Sequence, residues 1–556
     1  MAYIISHSIL SPLGFGSKEN YVAVKSGRTA LSVYPEGSRD VPEAFCASLF
    51  TEEQNRRLAV AGLSPFESAV AASARQAVAD SGIPVAGGRT VLILSTTKGN
   101  TDLTSPADSA RRIAAELGVT TDPVVVCNAC ISGLAAVILG KRMIEAGLYD
   151  YAVVCGADRQ GKFIISGFQS LKALSPVECR PFDIERLGLN LGEAAATVVM
   201  SRDRRSEADW NIVSGAVRND AYHVSAPSRK GEGLYRALRY VADGKDKGRL
   251  AFVNAHGTAT MFNDQMESVA LQRMGYTDIP VNALKGYYGH TMGAAGILEL
   301  ILSMLAADDG NVVGTRGFGE LGVSGDIKVT ADSMPTDRRN IIKMLSGFGG
   351  CNAAVWASRD MAADEADYDV AFRKTHSVVM TQDSVRVDGE ELDTVSCGAE
   401  LLTEIYKTRI GGYAKFYKMD RLSRLGFVAS ELLLQVEGGE RFAESEDRAV
   451  VLFNHSSSAD SDRRYMESIR DRENYFPSPS VFVYTLPNIV TGEITMRNGY
   501  HGETSFYILP EKDARRMHDI LQTAFSDSVT KSILGGWIDY ADDGHFMADI
   551  AIYERE

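Results

Sequence analysis

Short apolar runs alternate with longer amphipathic stretches over much of the chain. Four runs are typical of strands buried on both faces: TVLILSTT (90–97), YAVVCGAD (151–158), AAATVVMS (194–201) and LAFVNAHG (250–257). Between them, SPFESAVAASARQAVADSG (64–82) and SGLAAVILGKRMIEAG (132–147) place Ala and Leu at helical spacing. The alternation predicts an α/β domain whose sheets are covered by helices.

A polar, acidic stretch, RDMAADEADY (359–368), interrupts this pattern, and a second α/β pattern follows it. We therefore predict a first domain over 1–360, a linker over 361–375 and a second domain over 376–556. The second domain faintly repeats the first, because RAVVLFNHSSSADS (448–461) is similar to RTVLILSTTKGNTD (89–102). In the same alignment Pro510 falls on Cys130, so the second copy is predicted to lack the cysteine discussed below.

Composition narrows the functional class. Of the 556 residues 45% are hydrophobic and 23% charged, which is ordinary for a soluble globular protein. The formal net charge of −14 argues against broad binding to nucleic acid or to anionic membranes. The N-terminus lacks the pattern of a signal peptide, and ILELILSMLAA (297–307) is too short to span a bilayer. Seven cysteines without a regular framework fit a reducing compartment, so we expect a cytoplasmic protein.

One cysteine stands where an apolar strand turns into a helix. In VVVCNACISG (124–133), Cys130 lies at the predicted helix start, where free N–H groups and the helix dipole favour a thiolate. A buried structural cysteine is the ordinary alternative. Cys127-x-x-Cys130 could also be a redox pair or half of a zinc site. The sequence has no second CxxC and no His-x-x-x-His to complete a zinc site, so no metal is predicted.

Two histidines follow apolar strands and precede Gly-rich or Thr-rich turns. AFVNAHGTAT (251–260) carries His256, and NALKGYYGHTMGAAG (282–296) carries Lys285 and His290. Each histidine alone would more often be a packing residue. Together with Cys130 they suit one chemical demand, because two imidazole N–H groups can stabilise the oxygen of a thioester enolate. A nearby lysine would add a positive field.

These segments resemble the β-ketoacyl synthases of fatty-acid and polyketide assembly, in the elongating form with a Cys-His-His triad. The matching motifs are NACISG, HGTAT, NALKGYYGHTMGAAG, RPFDIERLGLNLGE (180–193) and SGFGGCNA (346–353), in the family's order over residues 1–360. The resemblance implies a thiolase-like fold, a duplicated α-β-α-β-α layering. It also implies an acyltransferase that condenses malonyl and acyl thioesters on an acyl carrier protein.

The resemblance also implies roles for single residues. Cys130 takes the acyl chain, and His256 and His290 bind the malonyl thioester carbonyl and support loss of carbon dioxide. The backbone N–H groups of Cys130 and Phe348 form an oxyanion hole, Phe348 acts as a gate, and Lys285 tunes the field of the site. No bound cofactor is implied, since malonyl decarboxylation drives the reaction.

Other positions are implied to bind substrate or to support the loops. Thr258 and Thr260 would hydrogen-bond the phosphopantetheine arm that the carrier protein delivers, and Gly347 and Gly349 belong to the gate. The charged residues of the signature and of the following helix are expected to brace loops rather than to touch substrate: Arg180, Asp183, Arg186, Glu193, Asp264 and Glu267.

The second domain resembles the N-terminal half of a ketosynthase over 417–434 and 478–506, and it is similar to the inactive partners called chain-length factors. We expect a truncated, non-catalytic α/β domain that packs against an active one, in a homodimer or an internal pairing. A basic patch for the acidic carrier protein is predicted on one helix face: Lys415, Lys418, Arg421 and Arg424. The competing hypothesis is that the whole chain is a non-catalytic chain-length partner or scaffold.

Overall fold

The computed structural model describes residues 1–100 and 104–556. The strands are β1 Tyr3–Ser11, β2 Gly14–Phe15, β3 Ser32–Tyr34, β4 Phe45–Ser48, β5 Thr90–Ser95, β6 Val124–Val126, β7 Tyr151–Asp158, β8 Leu191–Gly192, β9 Ala194–Ser201, β10 Trp210–Asn219, β11 Leu250–Asn254, β12 Pro280–Asn282, β13 Asn311–Val312, β14 Lys328–Val329, β15 Met334–Pro335, β16 Asn340–Ser346, β17 Cys351–Ser358, β18 Phe372–Thr381, β19 Val385–Val387, β20 Glu390–Glu391, β21 Arg448–Asn454, β22 Thr504–Ile508, β23 Ser532–Asp542 and β24 His545–Arg555.

The α-helices are α1 Ser17–Lys25, α2 Glu52–Leu58, α3 Pro65–Ser81, α4 Pro106–Leu117, α5 Ser132–Glu145, α6 Lys162–Ser170, α7 Glu232–Ala242, α8 Met261–Arg273, α9 Lys285–Tyr288, α10 Ala295–Asp308, α11 Ala399–Ile405, α12 Arg421–Glu437, α13 Ala459–Arg470, α14 Pro479–Tyr484, α15 Ile489–Asn498 and α16 Ala514–Ala524. The four strands and two helices predicted from the apolar pattern are confirmed as β5, β7, β9, β11, α3 and α5.

Two sheets form the first unit, and their strand orders repeat each other. The first runs β1-β9-β7-β5-β6 and the second runs β10-β17-β16-β11-β12, with β14 added at its end. Helices α5 and α10 lie between the sheets, α3 and α4 cover the first sheet, and α7 and α8 cover the second. The duplicated α-β-α-β-α layering implied by the resemblance is confirmed.

The central helices are buried almost all round, which explains their apolar sequences. Every residue of α5 except Glu145 is buried, because a sheet covers it on each side. The two helix starts touch: a Cβ on Gly133 would lie 2.8 Å from the carbonyl oxygen of Gly293, and one on Gly296 would lie 2.4 Å from the backbone nitrogen of Leu134. Glycine at these positions lets the helices approach and brings the segments before them together.

The second unit, from β18 to β24, continues the first sheet. β22 pairs antiparallel with β6, Tyr507 opposite Val126 and Ile508 opposite Val125. The strand order across the junction is β1-β9-β7-β5-β6-β22-β21-β23-β24-β18. The succession of parallel and antiparallel pairings along this order is the same when it is counted from either end. The pairing of the two units is therefore internal to one chain.

The second unit has one sheet where the first has two, and its helices differ accordingly. Helix α16 follows β22 as α5 follows β6, but no second sheet covers it among the described residues. Met517, Ile520 and Leu521 are buried, whereas Arg515 is exposed to solvent. A helix covered on one side only must be amphipathic, and ARRMHDILQTA is. No helix among residues 1–100 and 104–556 has the length and apolarity that crossing a bilayer demands.

The segment between the units is docked rather than free. The hydroxyl of Tyr368 donates to Glu145 over 2.6 Å, and Lys245 pairs with Asp364 over 2.7 Å. The predicted linker, 361–375, is too long by four residues, because Phe372 to Thr375 already lie in β18 and pair with β24. β19 pairs with β18 only at Val378–Met380, so among the described strands the first residues of β18 pair with β24 alone, and the charged side chains in FRKTH hid this part of the strand from its apolar pattern.

Candidate functional site

Cys130 lies on a tight turn between β6 and α5. The turn, Ala129–Ile131, is a 3₁₀ helix, and Ala129 adopts φ +47°, a left-handed conformation that non-glycine residues seldom accept. Asn128 ties this turn to β22. Its side-chain nitrogen donates to one backbone carbonyl of β22 over 3.0 Å, and its side-chain oxygen accepts from one backbone N–H of that strand over 2.8 Å. The second unit therefore positions the nucleophile of the first.

Cys130 is half-buried, and the desolvation of its thiol opposes the helix-start argument. Burial raises its pKa to about 12, while Lys285 and the backbone N–H groups of Cys130 and Phe348 act in the opposite direction. The expectation that the helix start favours a thiolate is corrected here, because desolvation outweighs the helix terminus. The side-chain sulfur rests in reach of the two N–H groups predicted as the oxyanion hole.

Two histidines meet this sulfur. Sγ of Cys130 and one nitrogen each of His256 and His290 lie within 4.8 Å of one another, and the two rings meet edge to face with centroids 4.9 Å apart. The residues come from the turns after β6 and β11 and from the turn before α10. Sulfur and imidazole nitrogen are also zinc ligands, so a metal ion could in principle be held here, but thioester chemistry does not require one.

Both imidazoles are neutral near pH 7. Burial, then Lys285, lowers the pKa of each ring well below its ordinary value. Nδ1 of His290 accepts the Met292 N–H over 3.2 Å, so the proton of the neutral ring is on Nε2. Nε2 of His290 and Nδ1 of His256 have no hydrogen-bond partner within the described residues. A buried unpaired N–H beside a sulfur is a donor kept for a ligand.

Lys285 points away from the sulfur and into a buried charge cluster. Its Nζ donates to Glu299 Oε1 and to the carbonyl of His256, each over 2.7 Å. Lys343 donates to Glu299 Oε2 over 2.6 Å and to the carbonyl of Ala255 over 3.0 Å. Two ammonium groups and one carboxylate thus hold the end of β11 from behind. The cluster acts on the site through its electrostatic field and through the hydrogen bond from Lys285 to the carbonyl of His256.

The glycine-rich segment after β16 closes the site from the other side. Phe348 is half-buried, its carbonyl accepts from the Asn488 amide over 2.8 Å, and Gly349 bonds to the carbonyl of Val224 over 2.7 Å. A Cβ on Gly347 would lie 3.2 Å from the Cys130 nitrogen, and Gly349 has φ +87°. Close approach disfavours a side chain at the first position, and the left-handed backbone conformation favours glycine at the second.

Thr258 and Thr260 follow His256 in the segment between β11 and α8. The hydroxyls of Thr258 and Thr260 hydrogen-bond each other over 2.8 Å. Glu267 accepts the N–H groups of His256 and Gly257 over 2.7 and 2.8 Å, so it holds the turn. Asp264 likewise accepts two backbone N–H groups, and Asp183 and Glu193 each accept two from segments distant in sequence. The bracing role expected for these carboxylates agrees with the contacts.

The basic patch is not the single helix face that the sequence predicted. Lys415 and Lys418 lie in a 3₁₀ segment, Ala414–Lys418, and α12 begins only at Arg421. Lys415 pairs with Glu493 over 3.0 Å and Arg421 with Asp543 over 2.9 Å. Asp420, which caps α12, breaks the regular spacing on which the prediction relied. The binding of a carrier protein by these residues stays a prediction.

Cys127 does not have the setting of a redox cysteine. It directly follows β6 and is fully buried, with its sulfur 3.5 Å from the Thr97 carbonyl oxygen, and burial raises its pKa above that of an ordinary thiol. Reactive cysteines of CxxC pairs have lowered pKa values and partial exposure. The redox alternative therefore loses its support.

Sequence reasoning missed three charged residues of the site: Glu299, Lys343 and Lys98. Glu299 and Lys343 had a visible signal, a single charge inside an otherwise apolar segment, LELIL and NIIKMLS, whereas Lys98 follows three polar residues in LSTTKG. A buried charge requires a partner, so the two apolar segments should have prompted a search for one. Phe482 and Leu486 of the second unit, which reach the Cys130 pocket, carried no such signal.

Comparison with known proteins agrees with this geometry. Residues 43–206 match the family "Beta-ketoacyl synthase, N-terminal domain" and residues 211–318 its "C-terminal domain". The tetracenomycin polyketide synthase ketoacyl synthase alpha subunit of Streptomyces glaucescens is 32% identical over 276 residues, covering 46% of this chain and 64% of the relative. The 3-oxoacyl-[acyl-carrier-protein] synthase 2 of Rhizobium meliloti (strain 1021) is 32% identical over 251 residues, 41% of this chain and 59% of the relative. The chain spans less than two thirds of these relatives.

Solved structures extend the likeness in fold. The ishigamide ketosynthase/chain length factor has a TM-score of 0.58 at 25% identity and covers 64% of this chain and 98% of its own. The PfaC keto synthase–chain length factor has a TM-score of 0.74 at 14% identity, over 100% of this chain and 78% of its own, which shows a common fold across both units. Residues 43–206 and 211–318, and the site they form, therefore match the β-ketoacyl synthase family.

Proposed function

We propose that the protein is a β-ketoacyl-[acyl-carrier-protein] synthase that condenses malonyl and acyl thioesters in fatty-acid or polyketide-type biosynthesis. One observation carries the proposal: a cysteine sulfur and two buried, neutral imidazoles, each with one ring nitrogen unpaired among the described residues, meet within 4.8 Å. A scaffold has no use for two buried imidazole nitrogens without partners, because leaving them unpaired costs free energy. The non-catalytic alternative is therefore the weaker reading.

The first step loads the acyl group. Cys130 sulfur attacks the thioester carbonyl of an acyl carrier protein, and the pantetheine thiol leaves with the proton that Cys130 gives up. The new oxyanion is held by the N–H groups of Cys130 and Phe348, which already lie beside the sulfur. Because one thioester replaces another, the step needs no cofactor.

The second step makes the carbon–carbon bond. A malonyl thioester places its carbonyl oxygen between His256 and His290, whose N–H groups stabilise the enolate as carbon dioxide leaves. The enolate carbon attacks the acyl carbonyl on Cys130, and the Cys130 thiolate that departs takes up one proton. Neutral imidazoles suit this role, since they donate hydrogen bonds without competing for the carbanion as acids.

The carrier protein and its arm remain partners by proposal. Thr258 and Thr260 offer two hydroxyls beside His256, where a phosphopantetheine amide could accept or donate. Solved relatives include a ketosynthase with its chain length factor and a type II acyl-carrier protein in complex with its ketosynthase. The second unit of this chain would serve as the chain-length partner, supplied in the same polypeptide.

Intact-mass analysis after incubation with acetyl-carrier protein, then malonyl-carrier protein, tests the proposal. We expect an acetyl adduct on the wild type, lost in Cys130→Ala and retained in Cys127→Ala, which is the matched control three residues away. Addition of malonyl-carrier protein should discharge the adduct and yield the β-ketoacyl product.

Two outcomes would reject the enzyme assignment in different ways. An adduct that also disappears in Cys127→Ala would restore the redox-pair reading. No adduct with any acyl donor, from folded wild-type protein, would favour the scaffold.

A further inference from the structure

The backbone segment that carries Phe348 is held from the second unit as well as from the first. Asn488 donates a side-chain N–H to the carbonyl oxygen of Phe348 over 2.8 Å, across 140 positions of the chain. Helix α15 follows Asn488 and packs on the same segment, because a Cβ on Gly492 would lie 2.6 Å from the carbonyl oxygen of Gly349. A side chain at residue 492 would collide there, so the first turn of α15 lies directly against this backbone.

The side chain of Asn488 is committed to the first unit rather than to its own helix. Asn488 directly precedes α15, where asparagine normally caps a helix by accepting a backbone N–H of the first turn. Here it forms no such cap. Its nitrogen bonds to Phe348, and its oxygen has no partner among the described residues, although the residue is only 1% exposed. An amide that gives up its cap and buries an unpaired oxygen requires a reason beyond packing.

A second amide holds the next peptide group of the segment. Asn219 of the first unit donates to the carbonyl oxygen of Gly349 over 2.9 Å. Two hydroxyls of the second unit hold this amide in turn. Its oxygen accepts from Thr495 over 3.1 Å, and its nitrogen donates to Thr504 over 3.2 Å. Two successive carbonyl groups of the segment therefore have donors that the second unit supplies or places.

These contacts bear on the N–H group of the same residue, Phe348. That N–H lies beside the Cys130 sulfur, together with the N–H of Cys130 itself. A backbone donor stabilises an oxyanion when it is preorganised at the position that the oxygen will take. The N–H and the carbonyl of one residue are separated by only two soft torsions. A carbonyl fixed by Asn488 therefore limits the directions that the Phe348 N–H can take.

We propose that Asn488 of the second unit is a positioning residue: it fixes the backbone of Phe348 so that the Phe348 N–H meets the oxyanion formed when Cys130 is acylated. This rests on the proposed function. Asn488 acts through Phe348 and touches no reacting atom. The second unit then contributes to each acylation, whatever the acyl group, although it has no counterpart of Cys130.

Two reactions of Cys130 in the full-length protein separate this role from a structural one, with both adducts followed on the Cys130 peptide by mass spectrometry. Acylation by an acetyl pantetheine thioester passes through an oxyanion, whereas alkylation by iodoacetamide displaces iodide at a saturated carbon and forms none. Asn488→Ala should lower the ratio of the acylation rate to the alkylation rate by about tenfold or more. The fall should lie in the acylation rate at saturating donor, with the apparent KM of the donor unchanged.

Two further variants control for packing. Asn488→Leu keeps the approximate size of the side chain and removes both polar atoms, so it removes the donor without opening a cavity, and the same fall in the ratio is expected. Asn498→Ala, at the other end of α15, is the matched control. The amide of Asn498 donates to the carbonyl of Ile494 in its own helix over 2.9 Å, so the ratio should stay at the wild-type value.

The outcomes distinguish this inference from the proposed function. A wild-type ratio in folded Asn488→Ala or Asn488→Leu would overturn the inference. An equal fall of both rates would also overturn it, because the effect would then lie on the Cys130 sulfur and not on the oxyanion. No acetyl adduct on the folded wild type would instead refute the proposed function, and the positioning role with it.

Discussion

Removal of the Glu299 carboxylate should destabilise the protein strongly, because that side chain neutralises two buried lysines. Lys285 and Lys343 each lie within 2.7 Å of one Glu299 oxygen, and all three residues are at most 3% exposed. Two ammonium groups and one carboxylate carry a net charge of +1. In Glu299→Gln the charge becomes +2 in the same volume, and the amide nitrogen faces an ammonium that it cannot bind.

The magnitude follows from the cost of leaving a buried charge unpaired. Loss of one partner from a buried ion pair costs about 3–5 kcal/mol, so we expect the free energy of unfolding to fall by that amount in Glu299→Gln. Adding Lys343→Met restores a net charge of +1 and removes one unpaired cation. The double variant should therefore be more stable than the sum of the single effects, by about 0.5–3 kcal/mol.

Urea unfolding of the wild type, both single variants and the double variant measures this cycle, with fluorescence and circular dichroism followed together. The reasoning fails if Glu299→Gln costs less than about 1 kcal/mol. It fails equally if Lys343→Met has the same effect whether residue 299 is Glu or Gln, because additivity would mean that the charges do not interact.

Three further predictions concern the site. Burial keeps His256 and His290 neutral in the folded protein, so the unfolded chain takes up more protons at low pH. The free energy of unfolding should therefore fall as the pH drops below about 6.5. Urea titrations at pH 7 and 5.5 should show a smaller loss of stability in His290→Gln than in the wild type. Gly349→Ala places a side chain at φ +87°, 2.6 Å from the Asn488 amide, and should cost about 1–3 kcal/mol on urea unfolding; an unchanged midpoint would contradict the strain. Because burial raises the pKa of Cys130 to about 12, its alkylation by iodoacetamide should quicken about tenfold per pH unit from 7 to 9, and a plateau below pH 9 would contradict that value.

Much of the fold and the centre of the site could be predicted from sequence because the signals are local. Runs such as TVLILSTT become strands through the apolarity of neighbouring residues, and α5 and α10 are mostly apolar because both faces are buried. The turns at Cys130, His256 and His290 are likewise indicated in the sequence by small residues that follow apolar runs. That these turns meet was inferred from family resemblance rather than from spacing.

The predicted boundaries of some elements were wrong where charged residues hid the local signal. Charged side chains concealed the first residues of β18, and Asp420 divided a basic run into two separate segments. The helix start was expected to lower the pKa of Cys130, whereas burial raises it. Burial depends on the surrounding packing and not on the helix to which the residue belongs.

The sequence by itself determined which segments are strands and helices, where the predicted nucleophile and the two histidines stand, and that the second unit has no counterpart of Cys130. Only the tertiary structure decided that β22 completes the sheet beside β6, that Glu299 joins two lysines, and that Lys98 meets Asp462 across 364 positions of the chain. The physical reason is range: strand and helix formation depends on neighbours a few residues away, whereas the partner of a buried charge and the depth of a pocket depend on residues that only folding brings together.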